Sequence, residues 1–585
     1  MADNDTTAKA REAAVLNLDE LNAAVSSPRK PFQYMVLILL ALNYFPLVFN
    51  HVIMAFYGST ILHVCHLTDT GNNRTVASTY MYMNVTVLQE VGEKCQTTLY
   101  LENGDNSTVT CEAGRGHWTY KPEFDETTIV SEGTHNTERT PTLQFDLVCD
   151  DKSLGSLATT IYFCGVMVGG LFFGYVSDTI GRLPVLFLTL YLPIAVGVGI
   201  AFVDSYVLFA VLRFIQGIII QGLQNATYVL AMEFFVPAQR PLVGAVLEGC
   251  WGMAVMTLAG LAYLLKDWRH LQLAISLPSL LAVFYICVMP ESLRWLVMKG
   301  RMERAEKLLT RISSFNKIPF PKQVWDFTRT EAEKATTKTR YNFIHLFKTP
   351  RLRRRSLIGF YLWLTVSAVY YGLTFMITSL PGNKYLNFFI GGAVEFVAYI
   401  SSLWIMNLFG HKKPMMVCFF ASGICCVIAA SVPAAPKHPD LDIGVVSTTF
   451  AVIGRFFVAG LFAIIFVYTT TLYPTVIRII GLGTCLFWAR LGGVIAPQIN
   501  RLGAGMVVLV PILVFGCMTL VAGFFMLWMP ETHRRKMPDT IDDVEHPGHD
   551  RDGVMNRPVP YYEQDVQVET VSDGVTTEKY DVTRL

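Results

Sequence analysis

Long runs of apolar residues recur along the chain, separated by polar breaks. They lie near 35–57, 153–176, 183–203, 206–232, 241–264, 269–289, 355–377, 386–409, 414–433, 444–470, 477–498 and 505–529. A helix needs about 20 apolar residues to cross the hydrocarbon core of a bilayer, so each run predicts one membrane span, twelve in all. The first run follows a polar stretch and is itself long enough to span, so it reads as a span and not as a cleavable leader. Within these runs polar residues are sparse, and each stands out as a candidate for function.

Composition agrees with the pattern. Of 585 residues, 52% are hydrophobic and 16% charged, with a mean hydropathy of +0.40. The net charge of +1 supplies no basic field of the kind that nucleic-acid binding requires. Lys and Arg crowd the connection between the sixth and seventh runs (Lys299, Arg301, Arg304, Lys307, Arg311, Arg353, Arg354), which predicts a cytoplasmic connection. An even number of spans then puts both termini in the cytoplasm and 58–152 outside. That outer segment carries glycosylation sequons at Asn73, Asn84 and Asn106 and four cysteines, Cys65, Cys95, Cys111 and Cys149. Four cysteines in an oxidising compartment imply two disulfides, with three connectivities open. Sequons at Asn4 and Asn225 fall in the cytoplasmic tail and in a span and are expected to stay bare.

The chain also repeats itself. MPESLRW begins at Met289 and MPETHRR at Met529, each just after an apolar run. Arg213-Phe214 in the fourth run has Arg455-Phe456 in the tenth, and MEFFVPAQR, ending at Arg240, has TLYPTVIR, ending at Arg478. Gly181-Arg182 follows the second run as Gly410-His411 follows the eighth. Echoes in the same order at matching spans predict two six-helix halves. Related halves rocking about one central site give alternating access, with cytoplasmic charges latching the inner face. The expected division is a tail at 1–34, a first bundle at 35–289 that includes the outer loop 58–152, a linker at 290–354, a second bundle at 355–529 and a tail at 530–585.

On these motifs the chain resembles the major facilitator superfamily. GGLFFGYVSDTIGR (169–182) is similar to that superfamily's cytoplasmic motif. The long cysteine-bearing loop ending FDLVCD, together with MPESLRWLVMKGR, WLTVSAVYYGL and YPTVIRIIGLG, resembles solute carrier family 22, the organic cation, organic anion and carnitine transporters. The resemblance implies an all-α membrane protein of twelve transmembrane helices in two pseudo-repeats. It also implies gating or structural roles for Asp178, Arg182, Glu233, Arg240, Glu291, Arg294, Arg478 and Glu531. Three positions depart from the family pattern: Thr471 stands where Glu is usual, Ile479 where Asn is usual, and Leu183 where a basic residue is usual. These weaken the expected latch, chiefly in the second half.

Charges at bilayer depth are costly and each needs a reason. Arg213 and Arg455 read as structural arginines bonded to carbonyls or a neighbouring helix. Glu395 and Arg490 lie mid-span and are the substrate-binding candidates, together with the aromatic residues Trp363, Tyr370, Tyr371, Tyr228 and Phe466. By the family resemblance, Arg at position 490 goes with anion and carnitine carriers, and Tyr399 in place of Lys with the carnitine group. One anion and one cation facing a cavity suit a zwitterion; alternatively the two neutralise each other. Aromatic faces attract quaternary ammonium groups, although helix packing uses the same residues. Gln224 and Asn225 stand where cation carriers often have an aromatic residue. Glu248 either faces the cavity, adding cation affinity or carrying a proton, or pairs with Arg213, the arrangement expected here.

No phosphate-binding loop, metal-ligand spacing or nucleophile motif occurs in a suitable context, so no enzyme activity, metal or cofactor is expected. Transport is then driven by the substrate gradient, the membrane potential, or coupled sodium or protons. The leading expectation is a plasma-membrane carrier of small organic cations or zwitterions, of the carnitine or amino-acid-derivative type. Alternatives are an organic anion carrier and a transporter-like receptor or scaffold without transport. The C-terminal Thr583 and Leu585 match a ligand for PDZ domains.

Overall fold

The structure is a computed structural model that describes residues 31–57, five short segments between 62 and 121, and most of 153–545. Residues 1–20, 122–152, 335–342, 433–442, 506–509 and 546–585 are among those outside the described residues. So are Asn73, Asn84, Cys95, Cys111, Cys149, Thr583 and Leu585, while Cys65 and Asn106 are described only in their backbone.

The apolar runs fold as helices in the expected order. The first half holds α1 (Pro31–Tyr57), α2 (Ser153–Ile180), α3 (Arg182–Ala201), α4 (Tyr206–Phe234), α5 (Arg240–Leu264) and a composite α6. The second holds α7 (Pro350–Met376), α8 (Lys384–Phe409), α9 (Lys412–Ser431), α10 (Ile443–Leu472), α11 (Arg478–Gly505) and α12 (Val510–Leu527). Among the described residues, eleven helices are long and apolar enough to cross a membrane. The sixth expected span differs in kind. It is α-helical over Trp268–Ser276, 3₁₀ over Leu277–Phe284 and α-helical again over Tyr285–Val288. Pro278 has no N–H to give to the α-ladder, and the tighter 3₁₀ turn takes over where that bond is lost.

Two further differences concern the connections. Helix α7 begins at Pro350 with Thr349 as N-cap, so Arg351, Arg353 and Arg354 belong to its first turns and not to the linker. Proline at the first helical position sacrifices no hydrogen bond, and arginine stems lie along apolar surface while their heads reach the interface. The linker itself carries helices at Leu293–Met298, Met302–Asn316 and Lys322–Lys334. The second of these docks on α1: the Phe32 N–H donates to Asn316 Oδ1 at 3.1 Å, and Asn316 Nδ2 donates to Gln33 Oε1 at 3.1 Å. Between α1 and α2, β1 (Leu62–His66) pairs antiparallel with β5 (His117–Lys121), and β2 (Val87–Gly92), β3 (Gln96–Leu101) and β4 (Asn106–Thr110) form a second antiparallel sheet. The spanning part is all-α, as expected; the loop strands, five or six residues each, leave no mark in a pattern read over helix-length windows.

Lipid tails are as apolar as leucine, so helices in a membrane associate through close packing more than through apolar burial. Large exposed side chains such as Phe172, Trp404, Leu408 and Phe524 point away from the bundle, as a lipid-facing surface requires. The halves meet along α5 with α8 and α2 with α11. At the α5–α8 crossing Gly252 and Gly392 let the backbones approach: a Cβ on Gly392 would stand 2.9 Å from the Met256 nitrogen, and one on Gly252 3.0 Å from the Phe396 nitrogen. The halves are also tied by Thr378 Oγ1 donating to the Ala55 carbonyl at 3.0 Å, by Gln498 Nε2 donating to Thr160 Oγ1 at 2.7 Å, and by Phe56 stacked on Tyr385 at 5.7 Å.

Candidate functional site

The repeated phrases MPES and MPET become matching helix caps. Glu291 accepts the first backbone N–H groups of α3, from Arg182 at 3.0 Å and Leu183 at 3.2 Å. Glu531 does the same for α9, accepting from His411 at 3.2 Å and Lys412 at 3.1 Å. Each helix is entered through a glycine of positive φ, Gly181 at 120° and Gly410 at 82°, and a Cβ on Gly181 would collide with the Glu291 carboxylate. A carboxylate at a helix N-terminus satisfies orphan donors and complements the helix dipole. The expectation of a latch is therefore refined: each of these two carboxylates ties its own half together. Ser292 caps the following helix through the Trp295 N–H at 3.1 Å, and Trp295 Nε1 donates to the Asp178 carbonyl at 3.1 Å. Arg294 lies half-buried in that helix's first turn.

Around this cap Arg182 pairs with Asp178 at 2.9 Å and Glu233 at 3.3 Å, joining α2, α3 and α4. Among the described residues, the second half shows no such pair at the matching positions. His411 stands where Arg182 does and makes a 2.9 Å bond to Thr532, while Thr471 turns back to the carbonyls of Val467 and Tyr468. Arg240 donates to the carbonyls of Met232 and Phe235 at the end of α4, and Arg478 to that of Tyr473 just past α10, so this pair too is a matched cap.

At mid-membrane depth the structure separates Glu395 from Arg490. Glu395 on α8 is 0% exposed and accepts from Arg455 Nε of α10 at 2.8 Å, with Nη2 in ion-pair contact at 2.6 Å. Mutual neutralisation of Glu395 and Arg490, the alternative to a shared cavity, is not what forms, because α10 turns Arg455 toward α8. Arg455 also lies over the Tyr370 ring at 5.7 Å, and the Tyr370 hydroxyl accepts from Trp251 Nε1 of α5 at 2.6 Å. Arg213 is likewise structural: it donates to the Asn50 carbonyl of α1 at 3.2 Å and to Gln216 at 2.7 Å and lies 4.2 Å over Tyr162. The expected Arg213–Glu248 pairing is thereby corrected, since Arg213 faces α1 and α2 while Glu248 lies within electrostatic reach of Arg490 and Glu395.

Arg490 on α11 is only half-buried, and its Nη2 donates to Gln224 Oε1 of α4 across the halves at 2.9 Å. Tyr44 of α1, Tyr162 of α2, Glu248 of α5 and Tyr371 of α7 surround it electrostatically. A partly accessible guanidinium bonded across the halves is the cation best placed to meet a substrate between them. Gln224, Tyr228, Glu248, Phe462 and Phe466 are half-buried in the same way. Tyr228 meets Phe466 across the halves at 5.6 Å, and Trp363 braces Phe466 edge-on at 4.7 Å while donating to Thr469 at 2.9 Å. Trp363, Tyr370 and Tyr371 are themselves buried, so Tyr228 and Phe466 form the accessible wall and the α7 aromatics stand behind it. Sequence reasoning missed Gln224 as the partner of Arg490, although an amide inside an apolar run was the available signal. It also missed His51, 0% exposed and bonded through Nδ1 to the Tyr162 hydroxyl at 3.0 Å. Asn225 is held inside α4 by Gln221 at 2.7 Å and by the Gly170 carbonyl at 3.3 Å.

Comparison with known proteins agrees with this architecture. The model of the sugar (and other) transporter family matches residues 97–540. Human solute carrier family 22 member 13 is 35% identical over 431 residues, 73% of this chain and 76% of that protein. The organic cation transporter protein of Drosophila melanogaster is 32% identical over 442 residues (74% and 77%), and that fly's beta-alanine transporter is 30% identical over 461 residues (77% and 72%). Among solved structures, the inward-open xylose transporter XylE from E. coli superposes with a TM-score of 0.52 at 17% identity, covering 67% of this chain and 89% of that one. Fold and site together define a multi-pass membrane transporter of the major facilitator superfamily, not an enzyme. Within it the chain belongs to solute carrier family 22 and transports organic ions.

Proposed function

We propose that the protein carries small organic zwitterions, of the carnitine or amino-acid-derivative type, by alternating access, and that Arg490 holds the substrate carboxylate. The observation that carries this reading is a half-buried guanidinium at membrane depth whose direct hydrogen-bond partner across the halves is the neutral amide of Gln224. Such a cation favours a bound anion strongly because little water competes for it. Tyr228 and Phe466 offer aromatic faces to the cationic end of the substrate. A relative named for β-alanine, itself a zwitterion, supports the same class. Transport runs at the plasma membrane with both termini cytoplasmic, is driven by the substrate gradient, the membrane potential or coupled sodium or protons, and is organised by a PDZ-domain partner at Thr583 and Leu585.

Uptake of labelled β-alanine, carnitine, tetraethylammonium and p-aminohippurate into expressing cells, with and without sodium, tests the reading. Zwitterion uptake above that of either simple ion is expected. An organic anion carrier is the second reading, favoured by Arg490 and by the sealing of Glu395 behind Arg455; preferential p-aminohippurate uptake would establish it. No uptake of any of the four, with protein at the surface, would mean transport has been lost.

A further inference from the structure

Glu248 is a carboxylate inside a membrane span that the cap and ion-pair networks leave unused. Glu395 is closed off by Arg455, and Arg213 by α1 and Gln216. Glu248 is half-buried and, among the described residues, makes no hydrogen bond or ion pair. Its place follows from its helix. Trp251, three residues on, points to Tyr370 of α7 and Tyr44 of α1, with ring centroids at 6.3 Å and 6.5 Å. Gly252, four residues on, abuts Phe396 of α8. Residues at these spacings share one helix face, so Glu248 looks into the interface between the halves one turn nearer the cytoplasm. The titratable groups within electrostatic reach of it are Arg490 of α11, Glu395 of α8, Tyr44 of α1, Tyr228 of α4, Tyr371 of α7 and Tyr399 of α8. Arg490 is the one cation among these six, and its direct bond goes to Gln224.

We infer that Glu248 and Arg490 are the two poles of the substrate site, Glu248 receiving the ammonium group and Arg490 the carboxylate of one small zwitterion. This rests on the proposed role of Arg490 and adds the second pole to it. A partly accessible carboxylate and a partly accessible guanidinium from opposite halves, not bonded to each other, can each take one end of a molecule that bridges them. A bridging molecule would draw α5 and α11 together, so a zwitterion would close the site more effectively than either ion alone. Glu395, although also acidic and near, is already neutralised and sealed.

The test uses the full-length protein in cells or proteoliposomes and measures β-alanine uptake with its inhibition by n-propylamine and by propionate, each half of the zwitterion separately. Glu248→Gln is expected to raise the KM for β-alanine at least about tenfold and to weaken inhibition by propylamine to a similar degree. Inhibition by propionate should be unchanged, and Glu248→Asp should recover part of the amine inhibition. Surface labelling normalises for protein that fails to reach the membrane. If Glu248→Gln weakens propylamine and propionate equally, or changes only the pH dependence of uptake, Glu248 is a structural or proton-carrying residue and the inference falls. If the unaltered protein takes up no β-alanine and is inhibited by neither probe, the fault lies with the zwitterion reading itself.

Discussion

At the scale of single residues, the buried charges divide into two kinds. Glu395 and Arg455 are 0% and 1% exposed and pair directly, so each keeps the other tolerable in the membrane. Removing one partner of such a pair leaves an uncompensated charge and costs about 3–5 kcal/mol, whereas replacing both with neutral residues of similar size is close to neutral. Glu395→Gln is therefore expected to lower the melting temperature of the detergent-purified protein sharply, and Glu395→Gln with Arg455→Met to restore much of it. A double variant less stable than the single one would contradict the structural assignment. That these positions are charged and embedded was legible in the sequence, because a Glu or Arg inside an apolar run is conspicuous. Which charge meets which was not. Partnership depends on how far each helix is rotated about its axis, and a single sequence does not specify the rotation of α8 against α10 and α11. The same limit hid Gln224 as the partner of Arg490 and the separation of Glu248 from Arg213.

At the scale of elements, the two carboxylate caps look alike but are poised differently. Burial pushes the Glu291 carboxyl up, and the N–H groups of Ser292, Leu183 and Arg182 and the Arg182 guanidinium only partly offset it, so it rests above its ordinary value. Burial also acts to raise Glu531, but the N–H donors of His533, His411, Thr532 and Lys412 outweigh it, and the group rests below its ordinary value of 4.5. A carboxyl depressed on folding adds stability above its unfolded pKa and loses it as the pH falls through the folded one; a raised carboxyl does the reverse. At pH 7, Glu531→Gln should cost about 1 kcal/mol, as lost caps do, and Glu291→Gln less. Below the ordinary carboxyl range the Glu531→Gln penalty should fade, which melting curves at neutral and acid pH will check. A penalty independent of pH would contradict this. The repeated PES and PET phrases were legible as a matched pair, and so were the glycines ahead of α3 and α9. Their action within each half was not, because spacing along the chain does not say whether a carboxylate meets its own bundle or the other one.

At the scale of the whole molecule, the twelve-span plan, the two halves and the basic linker were read from apolar runs, charge and internal echoes. The broken α6 and the loop strands were not, one because a single proline changes helix type inside an apolar run, the others because short strands lack a helix-length signature. The topology predicts that glycosidase shifts the gel mobility of the protein and that replacing Asn73, Asn84 and Asn106 together abolishes the shift; a residual shift would place the outer loop wrongly. Alternating access also requires the contacts between the halves to part, so a short bismaleimide cross-link between cysteines placed at Ala55 and Thr378 should halt uptake, with recovery when a cleavable linker is cut. The central claim is that Arg490 selects for a carboxylate. Its most direct test is the ratio of carnitine to tetraethylammonium uptake, normalised to surface protein, in the unaltered chain and in Arg490→Ala. The account predicts that carnitine uptake collapses while tetraethylammonium uptake is kept or rises, because the repelling cation is gone. An equal loss of both would make Arg490 a structural residue and contradict the account.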